Sequence, residues 1–264
     1  EAEEVFDRFT RLAAKLLKAP VALITLLDDR RQFLKSAVGV TDVRETPLAY
    51  SFCANTLAIN APLVIDDALT HPLVRDNPAI PEFGVKAYAG VPIVTHDAQP
   101  LGALCVVDTS PHIWSAEDVA VLRDLANMVA AQIDMRRTLK DLDRRAAVAD
   151  AIFDNSHLPI LVYDVESRLE RASTAARTLL GRTEQQLKGV RSAELVHPDD
   201  VIRIVQLRDK LLTGSTDRVH TVLRYRSFGS YPSRHVTGSL VRDAASAAKF
   251  FVITLGDIVE DELA

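Results

Sequence analysis

The chain contains few of the residues that mark several common classes of protein. Its 264 residues include two cysteines and one tryptophan, and only 6% are aromatic. Two cysteines are too few for a disulfide framework, and free thiols are usual in a reducing cytosol. No apolar run approaches the ~20 residues that span a bilayer, and the acidic N-terminus is unlike a signal peptide. We therefore expect a cytoplasmic protein that does not enter a membrane.

Basic charge is also scarce. The chain has 31 Lys and Arg against 36 Asp and Glu, a net charge of −5, and it contains no basic run. Nucleic-acid-binding domains typically concentrate positive charge on one face, so we expect no nucleic-acid partner. The hydrophobic share of 48% supplies ordinary cores, and the length suits two domains. Because Glu1 stands where a native start would have Met, we also expect a fragment of a longer protein.

The longest regular pattern is a heptad repeat in the middle of the chain. Its ten positions alternate at steps of four and three, and Gln132 is the only polar member. They are Val121, Leu125, Met128, Gln132, Met135, Leu139, Leu142, Ala146, Ala149 and Phe153. A sustained 3.5-residue period keeps one seam of a helix facing a partner helix. The pattern therefore predicts a coiled coil that makes the protein a homodimer, although a helix lying on its own domain is the alternative.

Helical and strand patterns alternate through the first half. Apolar spacing predicts helices at Val5–Leu17 and Tyr50–Ile59, and a long helix that begins at Ser115. The predicted strands are 21–27, 32–38, 62–65, 86–94 and 101–107. Between them, the proline-rich stretch Thr70–Phe83 reads as a long loop, and such loops are more often functional than accidental.

The order of these segments resembles a GAF domain. The matching segments are ITLLDDRRQFLKSAVGV, SFCANTLAINAPLVIDDA, HPLVRDNPAI, GVKAYAGVPI and LGALCVVDTSPHIWSAEDVAVLRDLA. The resemblance places a GAF-like domain at 1–136, with its last helix starting near 115. It implies a central antiparallel sheet with both terminal helices on one face. It also implies a small-molecule pocket on the other face, roofed by the segments from Ser51 to Tyr88.

The second half resembles a PAS domain. The matching segments are LLGRTEQQLKG, the HPDD tetrad at His197–Asp200, RYRSFGSY and ITLGDIVEDE. The resemblance places a PAS-like domain at 154–264, after a helical coiled-coil linker at 137–153. PAS domains often end in Asp-Ile-Thr before an output helix, and Asp257–Ile258–Val259 stands in that place. We therefore expect an output domain that this chain does not include.

Together the two resemblances imply an α+β fold class. Each of the two domains has a central antiparallel sheet flanked by helices, and a long coiled-coil-like helix joins them. Strand patterns at 218–227, 233–242 and 249–257 agree with the sheet of the second domain.

The residues that carry chemistry give little support for catalysis. Cys53 and His71 would supply a nucleophile and a base, but no spacing signature supports that pair. Some GAF proteins reduce free methionine sulfoxide with several cysteines, and only two are present here. We expect no enzymatic activity in this chain, and we expect Cys105, within an apolar strand, to act as a small hydrophobe.

The sequence offers no clear attachment site for the cofactors that GAF and PAS domains bind. Cys53 is followed by Ala54 and Cys105 by Val106, so neither has the neighbouring histidine of a bilin site. The second half has no cysteine for covalent flavin chemistry, and the cyclic-nucleotide pattern of GAF domains is missing. Haem stays open because one histidine suffices as an axial ligand, although hydrogen-bonded histidines are commoner. The candidates are His197, His220 and His235. We predict no metal site.

The GAF resemblance leaves a pocket without a named ligand. The candidate ligand-binding residues are Ser51, Cys53, Asn55, Arg75 and Tyr88. Ser51 and Asn55 offer hydrogen-bonding groups, Tyr88 would close the site opposite them, and Arg75 would reach a polar ligand from the long loop. Capping or packing roles are the alternative for these side chains.

The hypothesis that joins these observations is a sensory GAF–PAS module of a bacterial signalling protein. It would dimerise through the linker and relay the binding of a small molecule or a partner to an output domain. Two-component or cyclic di-GMP signalling is the system we expect. The alternatives are a ligand-free dimerisation or interaction scaffold and a regulatory fragment of a diguanylate cyclase or histidine kinase.

Overall fold

The chain divides into two compact units, with the boundary after Leu142. The computed structural model describes residues 3–41 and 43–257. Of the Asp257–Ile258–Val259 sequence that we compared with a PAS ending, only Asp257 lies within the described residues. The limits 1–136, 137–153 and 154–264 stay predictions. Among the described helices, none combines the length and the apolar character needed to cross a membrane.

The first unit is built on a six-stranded antiparallel sheet. Its strands are β1 (Val21–Leu27), β2 (Arg31–Val38), β3 (Glu45–Pro47), β4 (Leu63–Ile65), β5 (Ala87–Val94) and β6 (Pro100–Asp108). They are ordered β3-β2-β1-β6-β5-β4 across the sheet. Successive side chains of a strand point to opposite faces, and both faces of this sheet carry buried apolar residues.

Two helices cover one face of this sheet. They are α1 (Glu4–Leu16) and α4 (Ala116–Asp154), and Phe6, Leu122 and Val129 are buried where they pack against the strands. The shorter helices α2 (Phe52–Ile59) and α3 (Ala79–Phe83) contribute buried residues to the opposite face. The expectation that both terminal helices share one face is confirmed.

Two short elements of this unit differ from the sequence prediction. The stretch predicted as a loop over 70–83 ends in helix α3, which stops at Gly84 with φ +70°. The three-residue strand β3 pairs with β2, and no alternation marked it in the sequence because it is so short. Five-residue helices and three-residue strands are too brief to show a period.

The second unit has a five-stranded antiparallel sheet. Its strands are β7 (Ile160–Asp164), β8 (Leu169–Ala172), β9 (Arg218–Arg224), β10 (Ser233–Arg242) and β11 (Ala248–Gly256). Their order is β8-β7-β11-β10-β9, so the last strand lies in the middle. Helices α5 (Thr174–Leu180), α6 (Glu184–Leu187) and α7 (Val201–Leu212) connect β8 to β9 along the chain. The expected α+β class with two helix-flanked antiparallel sheets is confirmed.

Helix α4 uses one face for the core of the first unit. Leu122, Ala126 and Val129 are almost completely buried there. Two positions of the predicted seam also serve this core: Leu125 is only 7% exposed, and Val121 packs partly against it. The face of α4 that meets the sheet is therefore wider than a strict heptad stripe, and the pairing of these two residues with a second helix stays a prediction.

The other seam positions of α4 have different environments. Gln132 is half-buried, while Ala146 and Ala149 are exposed. Phe153 lies beneath the guanidinium of Arg171, with 4.4 Å from the Arg171 Cζ to the ring centre. The remaining members are large apolar side chains that are each at least half exposed: Met128, Met135, Leu139 and Leu142. Pairing of this stripe with a second chain stays a prediction.

The HPDD tetrad of the second unit ties the start of α7 to strand β9. One oxygen of Asp200 accepts from the backbone N–H of Arg224 at 2.9 Å and from its Nε at 3.1 Å. The other oxygen accepts from Arg224 Nη2 at 3.0 Å. These bonds to Arg224 lower the pKa of Asp200. By contrast, the neighbouring Asp199 is mostly exposed and makes one longer contact with the guanidinium.

We predict that Asp200→Asn weakens the second unit, whereas Asp199→Asn leaves it nearly unchanged. The amide loses charge-assisted hydrogen bonds, so core amides of β9 and β10 should exchange with solvent roughly tenfold faster. Because the pKa of Asp200 is lowered on folding, the wild type should lose the same contribution as the pH falls below the ordinary aspartate value of 3.8. Equal exchange rates in the two variants would contradict this role of Asp200.

Candidate functional site

A cavity of about 370 Å³ lies on the face of the first sheet opposite α1 and α4. Its apolar walls come from strands β1, β2 and β6, helices α2 and α3, and the segment between α3 and β5. They are Val21, Leu23, Leu34, Phe52, Ala79, Phe83, Val85 and Val107. This volume falls in the ~300–1,000 Å³ range of small-molecule sites. The cavity occupies the face on which the GAF resemblance places a ligand pocket.

The cavity wall is uncharged. No Asp, Glu, Lys, Arg or His lines it among the described residues, and its polar groups are amide, hydroxyl and thiol groups. The Gln32 side-chain oxygen accepts a hydrogen bond from the Ser51 hydroxyl. The Thr46 hydroxyl is buried and has no hydrogen-bond partner in the described part of the chain. Thr46 can therefore form a hydrogen bond with a ligand in the cavity without breaking a hydrogen bond to the protein.

Both cysteines of the chain meet at this wall. Strand β6 alternates, so Leu104 and Val106 point into the helix-covered core while Cys105 points into the cavity. Cys53 is the second residue of helix α2, which packs on this face of the sheet, and its side chain contacts Cys105. The two sulfur atoms lie 3.5 Å apart, and both side chains are almost completely buried.

Tyr88 closes the cavity beside the cysteines. Its hydroxyl lies 2.7 Å from Thr56 Oγ1 and 3.5 Å from Cys53 Sγ. Residue 90 must be glycine for this placement, because a Cβ there would lie 2.1 Å from the Tyr88 hydroxyl oxygen. Burial raises the pKa of Tyr88 well above its ordinary value of 10.0, so the phenol stays neutral at physiological pH.

The structure brings together two of the five predicted site residues. Cys53 and Tyr88 line the cavity. Ser51 lies just behind the wall as the N-cap of α2, where its hydroxyl accepts from the Ala54 N–H at 3.0 Å. It reaches the cavity through its hydrogen bond to Gln32, which combines the capping role with the predicted pocket role.

Asn55 and Arg75 do not line the cavity. Asn55 lies on α2 two positions beyond Cys53, and this spacing turns it away from the face that carries Cys53 and Thr56. Arg75 belongs to the loop between β4 and α3, and its exposed guanidinium lies 3.6 Å from Asp76. A direct ligand contact of Arg75 therefore finds no geometric support in this structure.

Sequence reasoning missed a wall segment between β2 and α2. The cavity is lined there by Gly39, Val40, Thr41, Val43, Thr46 and Tyr50. This stretch shows no helix or strand period, so its sequence gave no reason to place it near the pocket. One signal was present in Gly39, which has φ +78° and would bring a Cβ to 2.1 Å from the Pro20 carbonyl oxygen.

The other candidate sites are not assembled. His71 does not line the cavity with Cys53, and its Nδ1 lies 3.4 Å from the Leu73 N–H. In the second unit a pocket of about 60 Å³ between the sheet and α7 is too small for haem and is lined by Tyr163 and Tyr225. Neither this pocket nor a more open one of about 490 Å³ beside α5 is lined by His197, His220 or His235. Within residues 3–41 and 43–257, no cluster of three or more His, Cys, Asp or Glu could hold a metal ion.

The sheet, the placement of the helices and the pocket of the first unit are those of a known class of sensory domain. The GAF domain family model matches residues 1–133, half of the sequence. The chain therefore belongs to the GAF domain family.

One curated relative has a named activity. A cyclic di-GMP phosphodiesterase of Pseudomonas aeruginosa is 35% identical over 172 residues, which cover 64% of this chain and 28% of that protein. The chain thus spans little more than a quarter of the length of this relative.

Solved structures extend the comparison of the fold. The E. coli DhaR(N)–DhaL complex contains a chain with a TM-score of 0.58 at 12% identity, covering 95% of this chain and 86% of that one. This likeness shows the fold alone. A PAS domain of an HTR-like protein from Haloarcula marismortui covers 47% of this chain at 23% identity, with a TM-score of 0.40.

We predict that Tyr88→Phe destabilises the first unit by about 1–3 kcal/mol, because it leaves the Thr56 hydroxyl buried without a partner. Thr56→Val should cost less, because the Tyr88 hydroxyl keeps its 3.5 Å hydrogen bond to Cys53 Sγ. The double variant should cost little more than Tyr88→Phe alone, since both halves of one hydrogen bond are then absent. Urea unfolding followed by Trp114, the single tryptophan and a core residue of this unit, measures the three values. Strictly additive costs would show that the two hydroxyls do not interact.

Proposed function

We propose that this chain is the sensory part of a protein that controls cyclic di-GMP turnover, with a small neutral molecule bound in the GAF cavity. Membership of the GAF family and the relation to a cyclic di-GMP phosphodiesterase support the signalling role. The observation that carries the choice of ligand is the 370 Å³ cavity with an uncharged wall.

The wall chemistry defines the class of ligand. A phosphate or carboxylate moved from water into an apolar cavity needs a cation or several N–H donors to offset its desolvation. No Lys or Arg is found among the described lining residues. A mainly apolar molecule with one or two hydrogen-bonding groups suits the cavity, with Thr46 and Gln32 as its polar contacts. Cyclic di-GMP itself, which carries two phosphates, is proposed as the substrate of the output domain and not as the guest of this cavity.

A pair of fluorescent probes tests this ligand class. We expect neutral phenylnaphthylamine to bind saturably, and its sulfonated counterpart, anilinonaphthalene sulfonate, to bind at least about tenfold more weakly. Val107→Trp places an indole in the cavity and should abolish binding of the neutral probe. Leu73→Trp adds the same side chain at an exposed position outside the cavity and serves as the control. Equal affinity for both probes, or binding that survives Val107→Trp, would contradict the proposal.

The second unit is proposed to act as a PAS domain downstream of the GAF unit. Its support is the central position of the C-terminal strand β11, the short helices between β8 and β9, and the PAS-like sequence segments. The fold similarity to the E. coli chain, which extends over 95% of this chain, is consistent with a tandem arrangement. The pocket inside its core measures only about 60 Å³, so this unit is proposed to relay the signal rather than to bind a ligand.

We also propose that the chain forms a homodimer through the exposed stripe of α4. Apolar side chains at Met128, Met135, Leu139 and Leu142 remain at least half exposed on one continuous helix. Burying them against a second copy removes this surface from water, which favours association. A shift in the register or rotation of the paired helices would then pass the state of the GAF cavity onward.

Gln132→Leu tests the dimer at its one polar seam position. We expect the variant to lower the dimer dissociation constant about tenfold and to blunt signalling, since the polar residue sets register at a cost in stability. Thr138→Leu makes the same kind of change on the same helix at an exposed position off the seam, and it should leave the constant unchanged. Analytical ultracentrifugation measures both. A wild-type chain that stays monomeric throughout the micromolar range would refute the dimer.

The output is proposed to be a phosphodiesterase acting on cyclic di-GMP. The relative of known activity favours this over the diguanylate cyclase or histidine kinase considered from the sequence. The chain itself is proposed to be a non-catalytic regulator in the cytoplasm. Addition of the neutral ligand to the full-length protein should then change the rate of cyclic di-GMP hydrolysis.

A further inference from the structure

The cavity wall contains a pair of cysteine thiols whose chemistry the proposed ligand binding does not use. Cys53 and Cys105 are separated by 52 positions in the sequence, yet their sulfur atoms are in van der Waals contact at 3.5 Å. These are the only two cysteines of the chain. We propose that Cys53 and Cys105 form a dithiol site that hydroperoxides oxidise to a disulfide in the wall of the GAF cavity.

The cavity supplies a route for the oxidant. Both thiols line it, while other lining residues lie at the surface: Thr41 is exposed and Phe83 is 47% exposed. A small neutral peroxide can therefore reach sulfur atoms that are themselves almost completely buried. Bulkier disulfide reagents such as glutathione disulfide are charged and do not suit the uncharged wall.

The surroundings of the two sulfur atoms assign them different roles. Cys53 lies in the first turn of α2, whose N-terminal N–H groups favour a thiolate. Hydrogen bonds from the Cys105 thiol, and from the Thr25 and Tyr88 hydroxyls, lower the pKa of Cys53. The same contact with Cys53, together with burial, raises the pKa of Cys105. Cys53 is thus the attacking thiolate and Cys105 the resolving thiol.

The reaction has two balanced steps. The Cys53 thiolate attacks one oxygen of the hydroperoxide, the O–O bond breaks, and the leaving alkoxide or hydroxide takes a proton to give an alcohol or water. Cys53 is then a sulfenic acid. The Cys105 sulfur attacks the Cys53 sulfur, the S–O bond breaks, and the oxygen leaves as water with the Cys105 proton. Two thiols are oxidised by two electrons, and one peroxide is reduced.

The disulfide would regulate the cavity that we propose for the ligand, so this inference rests on the proposed function. Bond formation draws the N-terminal turn of α2 towards β6 and removes the thiol group that lies beside the Tyr88 hydroxyl. Since Phe52 and Cys53 of that turn both line the cavity, its shape changes. We expect oxidation to change the affinity for phenylnaphthylamine about tenfold or more.

Intact-mass analysis after hydrogen peroxide treatment tests the site. The wild-type chain should lose two hydrogen masses and recover them with a reductant, and peptide mapping should find the Cys53–Cys105 link. Cys105→Ser should instead stop at a Cys53 sulfenic acid, seen as the gain of one oxygen mass and trapped by dimedone once the chain is unfolded. Cys53→Ser should react at least about tenfold more slowly, because Cys105 lies on strand β6 and lacks the helix N-terminus that favours a thiolate at Cys53.

A control that needs no variant shows whether the native fold itself brings the two thiols together for oxidation. The wild-type chain unfolded in urea provides the reactivity of the same two thiols outside the cavity. Native thiols that stay reduced while the unfolded chain is oxidised would overturn the inference, as would sulfinic acid formation without a disulfide. If phenylnaphthylamine binds but no disulfide forms, only the dithiol site fails. If the disulfide forms but the probe does not bind, the proposed ligand function fails instead.

Discussion

The two-residue alternation of strand β6 is the constraint on which the first unit depends. Leu104 and Val106 point to the face that α1 and α4 cover, and Cys105 and Val107 point to the face that holds the cavity. One face is filled with large apolar side chains, while the other is only partly covered by the shorter helices. A strand in the middle of the sheet thus contacts both the candidate ligand site and the packing of α4. A change in register by one residue would exchange the two faces.

Much of this fold was predictable because most elements are long enough to show a period. Strands β1, β2, β5 and β6 fall within one residue of their predicted limits. The short elements were not predictable, since three residues such as Glu45–Pro47 carry no period. The candidate site was harder still. The contact between its two sulfur atoms joins Cys53 to a residue 52 positions away, and sequence spacing alone gives no information about such a distance.

Helix α4 shows why one heptad pattern allowed two interpretations. Its first turns bury Leu122 and Leu125 in the unit that they belong to, as the alternative of a helix lying on its own domain required. Beyond Gln132 the apolar stripe leaves that core, and Leu139 and Leu142 stay at least half exposed. Packing on the first unit and the proposed pairing with a second chain are therefore assigned to different parts of the helix. A helix that is packed at one end and exposed at the other can carry a displacement from the sheet to a second chain or a second unit.

The central claim is that a ligand bound in the cavity on one face of the sheet changes the conformation or dynamics of α4, which covers the other face. Hydrogen–deuterium exchange of the α4 segment Met128–Leu142, measured with and without phenylnaphthylamine, tests this coupling most directly. The account predicts that probe binding changes exchange in this segment as well as in α2 and the wall residues 39–41 and 43–46. Changes confined to the cavity side, with α4 exchanging at the same rate in both samples, would contradict it.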